Sequence, residues 1–224
     1  MSNKPYRSVI GSLMFAAVVC RPDIATPVCL LARYVENPGP RHWKALKMVL
    51  RYVAGTLDHG IEYGSKVKLH GYVDADWAGC VDTRKSTSGY SWSFSGGPFL
   101  YGCKIQRCLS LSSTQSEYVA YSVACRDFLP YKRMLKEVGY QFPEPTPLYC
   151  DNSSAQKSTE NESSKKRTKH IEVRHYFCRY LVEFGEVKLV HVPSGENTAD
   201  ILTKILGATL FLRHRENLLR GKKE

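Results

Sequence analysis

The spacing of apolar residues changes at Gly60, and that change limits the chain to an α/β architecture led by helices. Before it, Tyr6–Val19 is apolar and rich in small residues, and Arg21-Pro22-Asp23 breaks the run. Ile24–Tyr34 reads as a second helix with Pro27 in its first turns, and Asn37-Pro38-Gly39-Pro40 as a loop. Trp43, Leu46, Lys47, Leu50 and Val53/Ala54 then recur at helical spacing up to Gly55, a C-terminal cap. Beyond Gly60 the period is two. Val67, Leu69 and Tyr72-Val73 run as a strand into Asp74. Tyr90, Trp92 and Phe94 alternate with serines, predicting a half-buried strand closed by Gly96-Gly97-Pro98. Cys108–Leu111 reads as a third short strand. Thr114-x-x-Glu117 has capping-box form and opens a helix toward Val138, which Pro130 should kink or interrupt. Leu148-Tyr149-Cys150 is a buried strand reaching Asp151. A basic helix over about Thr168–Phe184, a strand at Val187–Val192 and a helix from Asn197 to Leu206 complete the pattern.

The 224 residues suit one large domain, or one domain and an appendage. Their apolar content, 43%, excludes wholesale disorder. The most apolar run, Leu13–Cys20, is too short to span a bilayer, so no membrane partner is expected. Eight cysteines without a C-x-x-C read as free thiols in a reducing compartment. The net charge of +11 is unevenly distributed. Residues 1–66, 155–180 and 204–224 carry +5, +4 and +4, whereas 67–154 carries +1 and 181–203 carries −3. A basic run is ordinarily a solvated face. Its alternation here with near-neutral and acidic blocks fits a phosphate track beside a metal-binding centre.

Those two blocks hold carboxylates at the ends of elements. Asp74 and Asp76 follow a strand, Glu117 lies in a first helical turn, Asp151 ends a strand, and Asp200 opens the last helix. Singly, each reads as a turn residue, a cap or a dipole match. Jointly, strand-end carboxylates of one sheet converge on one edge, and such a cluster repels itself unless divalent cations neutralise it. Two such ions activate water and stabilise a leaving oxygen in phosphodiester cleavage.

The motifs themselves resemble a family. Asp74-Ala-Asp-Trp-Ala-Gly79, Arg84-Lys-Ser-Thr-Ser-Gly-Tyr90, Ser112-Ser-Thr-Gln-Ser-Glu-Tyr118, Cys150-Asp-Asn152, Arg167-Thr-Lys-His-Ile171 and Ala199-Asp-Ile-Leu-Thr-Lys204 are similar, in order and spacing, to the ribonuclease H domain of copia-type retrotransposon Pol polyproteins. Tyr6–Met14, Arg21–Ala25 and His42 through Thr56 resemble the end of the preceding reverse transcriptase. The resemblance covers about residues 6–212. It implies a ribonuclease H-like mixed sheet flanked by helices over 67–206, a reverse-transcriptase-like helical segment at 1–63 and a basic tail at 207–224. It further implies an endonuclease cutting the RNA strand of RNA–DNA hybrids with two Mg2+ ions, for which Mn2+ substitutes. Asp74, Glu117, Asp151 and Asp200 match the four metal-binding catalytic positions, with Asp76 the alternative to Asp74. Arg84, Lys85, Lys165, Lys166, Arg167, Lys169 and Arg174 are candidates for the phosphate track, with Ser86, Thr87 and Ser88 as donors. The expected partners are the hybrid and the upstream reverse transcriptase, in an intracellular setting.

Other patterns carry less. His170 and His175 do not share a helix face well, so a structural or phosphate-contacting role outweighs a zinc site. Cys103 and Cys108 read as buried thiols, and Tyr90/Trp92/Phe94 as a core face before a base-stacking one. The loop Val192–Asp200 lacks the histidine many ribonucleases H carry there. Gln115-Ser116-Glu117, Asp127, Pro130 and Lys165 depart from the family's usual residues. These departures keep open an alternative function, an inactive or host-adopted nucleic-acid-binding module. No Tyr-x-Asp-Asp occurs, so the chain reads as the tail of a longer polyprotein, or an open reading frame left from one, without synthetic activity of its own.

Overall fold

The computed structural model describes residues 4–64, 67–152 and 169–221, with the backbone alone at 169–172 and 175. The helical lead comprises α1 (Tyr6–Val19), a 3-10 turn at Pro22–Ile24, α2 (Ala25–Ala32) and α3 (Pro40–Ala54). Pro22 and Pro40 sit at first-turn positions, where the missing N–H costs nothing.

Five strands follow: β1 (Leu69–Asp76), β2 (Thr87–Phe94), β3 (Gly97–Ile105), β4 (Thr146–Cys150) and β5 (Val187–His191). They form one sheet in the order β3-β2-β1-β4-β5. The β1–β2 and β2–β3 pairs are antiparallel, whereas β1–β4 and β4–β5 are parallel. With α4 (Ser113–Glu137), α5 (Lys169–Glu183) and α6 (Ala208–Leu218), the sheet has the ribonuclease H-like mixed architecture that the motifs imply.

One face of the sheet packs on α4. Trp92 stacks on Phe128 at 3.7 Å and donates from Nε1 to Ala124 O at 3.1 Å. Gly71 gives the indole room, since a Cβ there would lie 2.5 Å from the ring. The aromatic strand is thus a core face. α4 continues unbroken through Pro130 rather than breaking there, and Tyr118, Tyr121, Ala124 and Phe128 are all buried along it. Burial of that apolar face offsets the hydrogen bond that the proline forgoes.

The opposite face corrects two expectations. Ser91 and Ser93, expected to face solvent, are buried, so β2 is covered on both sides. Cys108–Leu111 forms no strand. β3 lies earlier because Ser95 (φ 53°) and Gly96 (φ 94°) turn the chain back within two residues. What covers β2 is a second core, in which α1, α2 and α3 join Ile201, Leu202, Leu218 and Leu219. The helical lead therefore shares a core with the C-terminal elements, and a bridge between Gly60 and Arg220 closes it.

The predicted helix over Asn197–Leu206 is instead a 3-10 turn at Thr198–Leu202. Asn197 caps it, accepting from Ala199 N at 3.2 Å, and donates from Nδ2 to Val73 O of β1 at 3.0 Å. Residue 89 has to be glycine for the turn to sit so close. A Cβ there would lie 2.5 Å from Thr203 Cγ2 and 2.9 Å from the Leu202 carbonyl carbon. All eight cysteines are unpaired. No helix among the described residues is long and apolar enough to cross a membrane.

Candidate active site

Parallel pairing of β1 and β4 brings two of the carboxylates together. Gly71 and Tyr72 pair with Leu148 and Tyr149, so the same register sets Asp74 level with Asp151 just past β4. Glu117 arrives from α4. The N-cap is Ser112, whose hydroxyl accepts from Gln115 N at 3.2 Å, rather than the expected Thr114. Glu117 is consequently not a capping partner, and its side chain turns to the sheet edge. Each of Asp74, Glu117 and Asp151 places a carboxylate oxygen within 4.8 Å of the other two. They line an open cleft of about 310 Å³ with Ala75, Asn152 and Lys204.

Asp200 stands beside this trio, across Lys204. The ammonium lies 3.1 Å from Asp200 Oδ1 and 3.5 Å from Asp74 Oδ2. Thr203 donates from Oγ1 to Asp74 Oδ2 and also reaches Asp200 O at 3.2 Å. Asp76, one strand position beyond Ala75, is outside the trio. Its carboxylate instead fills the space over Gly79, where a Cβ would collide with it.

The electrostatics are those of a site short of positive charge. Burial, and then repulsion from Asp74 and Asp151, push Glu117 well above the usual carboxylate range. Burial likewise raises Asp74, against the pull of Lys204 and Thr203. Asp200 is pushed up to about 7 by burial and by Asp74. Burial would lower Lys204, but Asp74 and Asp200 outweigh it and hold the amine charged. One ammonium does not balance four carboxylates, and Glu117 Oε2 is buried with no hydrogen-bond partner. Converging hard oxygen donors, one of them orphaned, are a set that a divalent cation fits.

The candidate nucleic-acid residues fall into separate places. Arg84 and Lys85 stand on the β1–β2 loop, Arg84 exposed with φ 54°. Ser86, Thr87 and Ser88 are buried. Ser86 Oγ accepts from Ala78 N at 3.1 Å and Ser88 Oγ from Gln106 Nε2 at 2.9 Å, so these serines hold the loop in place and do not face solvent. Arg174 lies apart from that loop. It donates to Ser122 at 3.4 Å and lines a second cleft, of about 390 Å³, with Lys104, Arg107, Arg126 and Gln106. Lys165, Lys166 and Arg167, and the side chains of Lys169, His170 and His175, lie outside the described residues.

Reading the sequence alone found Arg174 but missed Lys204 and the other cations of this second cleft, Lys104, Arg107 and Arg126. The signal for Lys204 was its place four residues after Asp200. Lys104, Arg107 and Arg126 carry no such signal, being scattered over a strand end, a loop and a helix.

No protein-family model matches the chain. Retrovirus-related Pol polyproteins of plant transposons are 38–42% identical to it over 92–94% of its length. That of transposon TNT 1-94 from Nicotiana tabacum matches 212 residues at 42% identity, 94% of this chain. The chain spans only 14–16% of those polyproteins. Secreted RxLR effector protein 161 of Plasmopara viticola is 46% identical over 129 residues, 57% of this chain and 91% of that protein. Among solved structures, the foamy viral protease-reverse transcriptase in complex with RNA/DNA hybrid is similar at 16% identity and a TM-score of 0.49, over 91% of this chain and 26% of that one. A likeness that distant says nothing of chemistry.

Proposed function

Since the chain belongs to the retrovirus-related Pol polyproteins of transposons, we propose that it is their ribonuclease H, a Mg2+-dependent endonuclease cutting the RNA strand of RNA–DNA hybrids. One observation carries the reading. Asp74, Glu117 and Asp151 converge within 4.8 Å at the edge of a ribonuclease H-like sheet, in a protein of net charge +11.

Asp74, Glu117 and Asp151 would hold Mg2+, or Mn2+ in its place, with Asp200 at hand for a second ion. Two bound ions supply a water nucleophile at neutral pH and neutralise charge on the leaving oxygen. The chain's own residues prepare the place. Thr203 fixes the Asp74 carboxylate by hydrogen bonding to Oδ2. Asn197 ties the turn that carries Asp200 to β1. Lys204 adds a cation where a scissile phosphate would approach. Arg84 and Lys85 on the β1–β2 loop, and Arg107 and Arg174 at the second cleft with Lys104 and Arg126, which share Asp127, would present positive charge to the nucleic-acid backbone. Recognition would then rest on duplex shape and the RNA 2′-hydroxyl, without base readout. The upstream reverse transcriptase of the same polyprotein is the natural partner, since residues 1–63 resemble its end.

The test is cleavage of an end-labelled RNA–DNA hybrid in Mg2+ by wild type and Asp151→Asn. A loss of about 10³-fold or more is expected in the variant, the scale of removing a group that acts on transition-state charge. Equal cutting by both would sink the reading. Binding without cutting by wild type would select a binding module in its place.

A further inference from the structure

Asp82 is an acid on the loop that carries Arg84 and Lys85, where electrostatics alone would disfavour it beside a phosphate backbone. Its neighbours account for it. Asp82 Oδ2 lies 3.0 Å from Arg33 Nη2 and accepts from Tyr34 Oη at 3.0 Å. Arg33 and Tyr34 directly follow α2 of the helical lead. The same Arg33 nitrogen donates to Cys80 Sγ at 3.0 Å, and Cys80 is the pivot of the loop. Thr83 donates to that sulfur from N at 3.2 Å, and its hydroxyl lies 2.7 Å away. Arg84 N donates to Cys80 O at 2.8 Å, and Cys80 N to Lys85 O at 3.1 Å. The conformation so closed is a strained one. Ala78 and Arg84 both have φ near +54°, a region non-glycine residues hold only when their surroundings impose it.

We infer that Arg33, Tyr34 and Asp82 are positioning residues for hybrid binding: a latch from the helical lead that holds the β1–β2 loop so that Arg84 and Lys85 face the substrate. The inference rests on the proposed function for its substrate, though the latch exists without it. The helical lead is then part of the binding apparatus, even though it holds none of the candidate ligands. The latch also leaves a mark of its own. Burial would push the Cys80 thiol up, but the Thr83 hydroxyl and N–H and the Arg33 guanidinium outweigh it and bring it down to about 7.

Two measurements on the full chain test this. The first is equilibrium binding of a labelled RNA–DNA hybrid, in an Asp151→Asn background, for Arg33→Ala, Arg33→Lys, Asp82→Asn and Tyr34→Phe. Removing a negative charge strengthens polyanion binding if Asp82 merely repels phosphate or occupies an arginine that could contact it. If Asp82 is the latch, Asp82→Asn weakens binding, by about three- to fivefold for a partly exposed pair. Arg33→Ala should match it, Arg33→Lys recover part of the loss, and Tyr34→Phe show a smaller loss in the same direction. Hybrid binding by Asp82→Asn as tight as the background, or tighter, overturns the latch. The second is the pH profile of Cys80 alkylation, which needs no hybrid. Arg33→Ala should move its midpoint upward from near 7; an unmoved midpoint overturns the contact at the root of the latch. If the background protein binds no hybrid while the alkylation midpoint does shift, the proposed function has failed and the latch stands as a contact without that substrate. Melting temperatures close to wild type keep a folding defect from imitating either result.

Discussion

The protein buries two charged groups of similar size and treats them in opposite ways. In the helical lead, Arg21 donates to both oxygens of Asp23 at 3.0 and 2.8 Å, and to the carbonyl and hydroxyl oxygens of Thr56 at 3.0 and 2.7 Å. Tyr52 completes the set by donating to Asp23 Oδ2 at 2.6 Å. At the sheet edge, Lys204 pairs with Asp74 and Asp200 of the four carboxylates, and Glu117 Oε2 has no hydrogen-bond partner. Removing one partner of a fully paired buried charge leaves the other uncompensated, whereas converging carboxylates that outnumber their cations leave room for a divalent ion. The contrast sets a saturated ion pair against a carboxylate cluster compatible with a divalent cation.

The largest expected effect breaks the comparison on its structural side. Asp23→Asn leaves the Arg21 guanidinium buried without its counter-charge and should cost about 3–5 kcal/mol in denaturant unfolding. A cost under about 1 kcal/mol would mean the network is ornamental and the contrast unfounded. Next comes Gly89→Ala, which forces Thr203 and Leu202 away from β2. A loss of about 2–3 kcal/mol is expected, with weaker divalent-ion binding, because the same turn carries Asp200 and Thr203. Stability lost with ion affinity intact would separate the turn from the site.

A smaller effect comes from His70, partly buried on β1 and held down to about 4 by burial and by Lys68. The sign follows from its neutral folded form. Above the unfolded value of 6.5 it costs nothing. As pH falls from 6.5 to about 5 the unfolded chain gains a proton that the fold resists, so stability drops by roughly 1–2 kcal/mol over that window. His70→Phe should flatten that part of the pH profile, and a parallel profile would assign the acid sensitivity elsewhere.

How much of this was legible beforehand follows from where the information is local. Asp74 and Asp151 could be paired because strands of period two end at them, and parallel neighbours share an edge. Glu117 was found although its local reading, a capping partner, differs from the structure; Ser112 is the N-cap, and Gln115 is the side chain that reaches back over it, accepting from Leu111 N. The buried serines of β2 were not legible, since alternation with Tyr90 and Trp92 speaks for one covered face only. The second cover comes from the Thr198–Leu202 turn, which sits on Gly89 and joins β2 to the core that the leading helices share. Cys108–Leu111 misled because a two-residue turn at Ser95-Gly96 set the strand register first. Lys204 had a local signal in its place four residues after Asp200, but its pair with Asp74, like that of Asp82 with Arg33, acts across the fold.

The smallest expected change bears most directly on the central claim. The full chain can be melted in a chelator and in millimolar Mg2+, as wild type and as Glu117→Gln. Without the ion, removing one of the crowded carboxylate charges should stabilise the protein by about 1 kcal/mol, opposite in sign to Asp23→Asn. With Mg2+, wild type should gain stability and Glu117→Gln should gain little. A Glu117→Gln that melts lower in the chelator, with Mg2+ shifting neither protein, would contradict the claim that this cluster is short of charge because it holds metal.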